Sequence, residues 1–143
     1  MKATLFLTLY LLLFSGCNSS LKLTSKIKQT VYPGLQSEKT YTNYVLNYSV
    51  HTDKTIKIDS IVVFKKGKCY KVNSYLLKKE LSASYSEKIT KKGNYILEIP
   101  LKEDSIGAEC KNQQAEISLY YIEGSVAKTM YLDNFVAERK TKR

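Results

Sequence analysis

Few side chains in this 143-residue chain are of a kind that does chemistry: one histidine, three cysteines and 13 carboxylates, set among 23 basic residues. His51 stands beside Thr52-Asp53 at the end of an alternating segment. A histidine acting as base needs a nucleophile on one ring nitrogen and an orienting carboxylate on the other. Asp53 could orient it and serines are plentiful, but there is no Gly-x-Ser-x-Gly elbow to present one. His51 therefore reads as a loop histidine. Glu103, Asp104 and Glu109 gather in one loop, with Glu98 on the segment before it. Glycoside hydrolysis needs two carboxyl groups facing each other across a cleft, about 5–10 Å apart, and no pair here is singled out. A calcium loop alternates its oxygen ligands, which this loop does not. Gly67 and Gly93 lie in lysine-rich turns outside any phosphate-loop pattern. No cofactor and no metal is expected.

Cys17 differs from the other cysteines in what precedes it. Lys2 supplies a positive start, Leu5 to Phe14 is apolar apart from Thr8, and Ser15-Gly16 are small. Such a run is too short to cross a bilayer and reads as a secretory signal ending in a cleavage site. Asn18-Ser19-Ser20 then closes it. Phe14-Ser15-Gly16-Cys17 resembles the lipobox of bacterial lipoproteins, with Phe14 where that family usually has Leu. The resemblance covers residues 1–20 and points to the small Gram-negative envelope lipoproteins of unassigned function. It implies removal of residues 1–16, a diacylglyceryl group on the Cys17 thiol and acylation of its new amine. Two or more acyl chains make a lasting anchor. The implied address is the cell envelope, on the outer membrane and facing the periplasm, since no acidic run like those of surface-exported lipoproteins follows Cys17.

That compartment bears on Cys69 and Cys110. Two isolated cysteines and one histidine cannot make a zinc site at finger spacing, and no Cys-x-x-Cys is present. In an oxidising compartment the expected state is a disulfide.

The formal charge is +10, and every basic residue except Arg139 and Arg143 is lysine. Base and phosphate recognition favours the planar arginine fork, so nucleic acid is not expected as a partner. Lysines cluster at two tips: Lys65, Lys66, Lys68 and Lys71 in one, Lys88, Lys91 and Lys92 in the other. If both tips point one way they form a single basic end able to meet anionic lipid, an anionic envelope polymer or an acidic protein. Otherwise they are solvated tips that blunt sheet edges.

These residues must be positioned by strands, because beyond residue 28 the apolar period is two. Residues 28–32 form a short strand ended by Pro33-Gly34, and Tyr44, Leu46, Tyr48 and Val50 mark one face of the next. Across 55–64, Ile56, Ile58, Val62 and Phe64 share a face, with Ile61 and Val63 on the other. The tip at residues 65–68 returns through 69–72 as a hairpin. Residues 73–92 fit a helical turn or an irregular edge, with 82–89 leaning to strand. Tyr95, Leu97, Ile99 and Leu101 alternate, and Pro100 marks an edge or a bulge. After a polar loop over 102–114, strands follow at 117–121 and, after a turn at 123–125, at 126–135.

The whole predicts an all-β chain: an immunoglobulin-like antiparallel β-sandwich of seven or eight strands over 28–137. A lipidated Cys17 and flexible tether occupy 17–27, and a basic tail occupies 138–143. The expected function is that of a lipid-anchored, non-enzymatic binding or assembly accessory. The alternatives are a small periplasmic inhibitor or ligand-sequestering module, using the 102–114 loop or the basic tips, and, third, a small envelope hydrolase.

Overall fold

The computed structural model describes residues 20–102, 107–110 and 115–142. Cys17, the expected signal segment over 1–16, Glu103 and Asp104 lie outside the described residues. Eleven strands and no helix occur among those described. They are β1 (Leu21–Tyr32), β2 (Tyr41–Val50), β3 (Ile56–Lys65), β4 (Lys68–Lys71), β5 (Leu76–Lys79) and β6 (Lys88–Ile89). Then come β7 (Gly93–Leu101), β8 (Ala108–Glu109), β9 (Ile117–Glu123), β10 (Val126–Leu132) and β11 (Val136–Thr141). The count exceeds seven or eight mainly because short pieces such as β6 and β8, two residues each, add to the long strands.

One sheet runs β11-β1-β2-β7-β5; the other runs β10-β9-β3-β4-β8, with β6 also paired to β3. All pairings are antiparallel except β1 with β11. Both sheets feed a single core, giving a sandwich-like all-β fold. Tyr44, Leu46, Tyr48 and Val50 of β2 are buried with Tyr95, Leu97, Ile99 and Leu101 of β7. Ile56, Ile58, Ile61 and Val63 of β3 meet them from the other sheet with Ile117, Leu119 and Tyr121 of β9. Tyr95 also donates its hydroxyl to the Lys91 carbonyl at 2.8 Å, pinning the turn that leads into β7.

Two bulges account for where the alternation misleads. In β3 the register against β9 slips between Ile58 and Ser60. The extra residue rotates the following side chains by half a period. Ile61 and Val63 therefore join Ile56 and Ile58 in the core, while Val62 and Phe64 are only half-buried. In β1 the slip falls between Leu23 and Ser25. Leu21 faces the core before it, and after it Lys26 and Lys28 stand opposite Leu46 and Tyr44.

The tether expected over 17–27 is therefore corrected from residue 21 on. Leu21 is 3% exposed and pairs with Val50. The bulge hides this strand by breaking its alternation. The basic tail at 138–143 is corrected too. The chain leaves β10 at Leu132, crosses to the other sheet, and Val136–Thr141 pair in parallel with Ile27–Tyr32. All six β11 residues are exposed, so composition alone could not mark them as strand. The ambiguous 73–92 stretch supplies the edge strand β5. Pro100 sits in β7 opposite Asn43 of β2 and beyond the end of β5, so it has no ladder partner on the β5 side.

Cys69 and Cys110 are joined by a disulfide, with Cα atoms 5.7 Å apart. It fastens β8 and its flanks to β4 within one sheet, where Lys68 pairs with Glu109 and Cys69 with Ala108. Gly107 helps fix this segment, because a Cβ there would come within 2.7 Å of the Tyr70 ring.

Candidate functional site

One end of the sandwich carries the β1–β2 loop, the β3–β4 turn, the exit of β7 and the β10–β11 connection. Two adjoining cavities of about 550 and 490 Å³ open there and share Thr40, Tyr41 and Lys102. Lys28, Lys65 and Lys66 line one, and Lys39 and Lys142 the other. Glu38 is the one carboxylate lining them among the described residues. Hydroxyls of Thr30, Thr42 and Tyr70 complete the wall.

The lysines come from five separate pieces of backbone, with Lys65 and Lys66 adjacent in one of them, and several are held. The β1 bulge turns Lys28 inward, where it pairs with Glu116 from just before β9 and lies over the Tyr44 ring at 5.6 Å. Tyr44 donates its hydroxyl to the same Glu116 oxygen at 2.8 Å. Burial, then the Glu116 bond and charge, push that phenol far above its usual pKa, so it stays a neutral donor. Glu116 is fixed in turn by its backbone N–H, which donates to Asp133 at 2.8 Å. Phe135 packs edge-on against Tyr44, ring centroids 5.1 Å apart. This network ties the two sheets together beneath the groove.

Lys65 reaches across to the other sheet and donates to the Thr42 hydroxyl at 3.2 Å. Lys142 lies over the Tyr41 ring at 5.2 Å, and its hydrogen bond to Tyr41 raises the ammonium above the usual lysine value. Lys66 occupies the tight turn with φ +51°, followed by Gly67 at +76°. Both central residues of such a turn need positive φ, which glycine adopts freely and lysine does not. Among the described residues, neither Lys66 nor Lys102 has a carboxylate within ion-pair distance. The result is a row of ammonium groups, each with three donors, beside neutral hydroxyls. Such an arrangement has the chemistry to donate to anionic oxygens, and among the described residues no nucleophile in it stands beside a base.

The two lysine tips do not form one basic end. β3 joins them: Lys57 pairs with Lys88 near its start and Lys65 with Lys68 at its finish. Ten residues at about 3.3 Å each separate the tips by about 30 Å. Lys65 and Lys66 enter the groove, while Lys68 sits on the turn beside it. Lys71 borders a smaller neighbouring cavity of about 360 Å³ that shares Leu101 and Lys102. Lys88, Lys91 and Lys92 belong to the opposite end, where Lys92 meets Asp53 at 3.5 Å. His51 is there too, exposed, its Nε2 3.0 Å from the Ser49 hydroxyl. With Asp53 at Lys92, this dyad shows no orienting carboxylate among the described residues. Nor does any group of three or more His, Cys, Asp or Glu gather there to hold a metal ion.

Lys28, Lys39, Lys102, Lys142, Tyr41 and Tyr70 are among the groove residues that the sequence did not single out. They come from three strands, the β1–β2 loop and segments that follow two other strands, and only the fold brings them together. No protein family, no curated protein and no solved structure matches this chain.

Proposed function

We propose that this chain is a lipid-anchored, non-enzymatic cell-envelope protein whose basic groove binds an anionic envelope polymer. The anchor is an acylated Cys17, at the envelope address implied by the lipobox-like Phe14-Ser15-Gly16-Cys17. The domain is an immunoglobulin-like sandwich. The orders β1-β2-β7-β5 and β10-β9-β3-β4 correspond to the A-B-E-D and G-F-C-C′ arrangement of that fold. The parallel β11 and a disulfide within one sheet are this chain's departures from it.

The observation that carries the function is the groove's charge: among the described residues six lysines line it, one of them paired with Glu116 beneath, against one lining carboxylate, beside tyrosine and threonine hydroxyls. Lysine acts as a point charge and tolerates varied anion spacing, which suits a flexible polyanion better than one rigid ligand. Carboxylate- or phosphate-bearing polysaccharide fits this chemistry, with hydroxyls beside the ammonium groups to meet sugar. The test is an equilibrium titration with oligogalacturonate, with neutral dextran as control. Binding to the acidic sugar should weaken with salt, and Lys65→Glu with Lys66→Glu and Lys102→Glu should lower it at least tenfold. Equal affinity for dextran, or no effect of the triple change, rules the reading out.

A further inference from the structure

We infer that the end opposite the groove is a membrane-contact face, seating the sandwich upright on acidic lipid headgroups. This rests on the lipid-anchor reading of Cys17. With β1 beginning at Leu21, almost no tether is left. Ser20 is already fixed: its carbonyl accepts from the His51 N–H at 2.8 Å, and its hydroxyl donates to Glu123. Cys17 is three residues earlier, and three extended residues reach about 10 Å at most. An acylated Cys17 therefore holds this end, and not the groove about 30 Å away, against the bilayer.

The charges at this end suit that position. Lys54, Lys57, Lys88, Lys91 and Lys92 are all exposed. Lys57 and Lys88 are direct cross-strand partners. Like charges so placed repel, and an anionic surface relieves the repulsion. Of the carboxylates at this end, Glu123 is engaged by Lys128 and Ser20, Asp53 by Lys92, and exposed Glu87 directly precedes Lys88, so the lysines outnumber them. The face therefore presents net positive charge within the roughly 10 Å over which a headgroup layer is felt. Each lysine brought that close strengthens attachment to acidic lipid roughly fivefold. Upright seating points the groove away from its own membrane, so lipid headgroups of that leaflet are not its ligand.

The experiment is lysine acetylation of the full lipidated protein in phosphatidylglycerol vesicles, in phosphatidylcholine vesicles and in detergent, read by peptide mass. Lys54, Lys57, Lys88, Lys91 and Lys92 should be modified several-fold more slowly in phosphatidylglycerol than in detergent, with Lys66 and Lys102 unchanged. Protection should be weaker in phosphatidylcholine. Even modification of both ends in phosphatidylglycerol overturns the orientation. Equal protection in both vesicles overturns the role of charge. An intact mass without acyl chains on Cys17 overturns the anchor reading itself, and the inference with it.

Discussion

Replacing Cys69 and Cys110 together by serine removes a cross-link that spans 41 residues. A loop of that length closes the unfolded chain at a cost of about 4 kcal/mol in the chain-entropy estimate. Little in the folded state depends directly on the bond. It holds β8, two residues long, and the contact of Gly107 with Tyr70 at a sheet edge. The core of β2, β3, β7 and β9 lies elsewhere and keeps its contacts. The double variant should therefore fold, at a stability lower by about 2–4 kcal/mol. For a domain of this size that lowers the melting midpoint by roughly 8–16 °C. Urea unfolding followed by tyrosine fluorescence and circular dichroism reads the loss. The denaturant slope should also rise, because the uncross-linked chain exposes more surface. A loss below about 1 kcal/mol with an unchanged slope would refute the loop-closure reasoning. Failure to fold would refute the claim that the core is sufficient without the bond.

Three further outcomes are expected. Leu97→Ala, at a side chain 1% exposed between β2 and β5, should cost about 3–4 kcal/mol in the same unfolding assay; a loss under 1 kcal/mol would contradict the assigned core. Lys128 and Ser20 hold Glu123 below the usual carboxylate value. Its folded pKa is thus below the unfolded value of about 4.3, so its contribution is full above that pH and fades as the pH falls through the folded value. Glu123→Gln should remove this part of the acid sensitivity, and an unchanged stability profile between pH 5 and 2 would count against the pairing. Cys17→Ser should release the protein from the membrane and abolish labelling by a fatty-acid analogue, without changing its circular dichroism; equal labelling of both proteins would sink the anchor.

The long central strands were legible because nothing interrupts their alternation. Tyr44 to Val50 and Tyr95 to Leu101 put every second side chain in the core as their pattern says. Bulges are what the pattern cannot show. One residue at Asp59 exchanges the faces of Val62 and Val63, and one at Thr24 both disguises β1 as a tether and turns Lys28 inward. β11 was hidden for another reason: a fully exposed edge strand buries nothing and so carries no apolar period. The groove was only half readable. Lys65 and Lys66 stand out beside a turn glycine, but their neighbours Lys102 and Tyr41 come from distant segments. The two lysine tips looked alike in sequence, and the direction of β3 separates them.

The central claim, that the groove is an anion-binding site, is tested most directly by mapping backbone amide shifts during titration with oligogalacturonate. Shifts should gather at Thr40, Tyr41, Lys65, Lys66, Tyr70 and Lys102, saturate together and collapse in high salt. The Lys54 and Lys88–Lys92 end should stay still. Shifts spread evenly over both lysine-rich ends, or concentrated at the end near Ser20, would contradict the account.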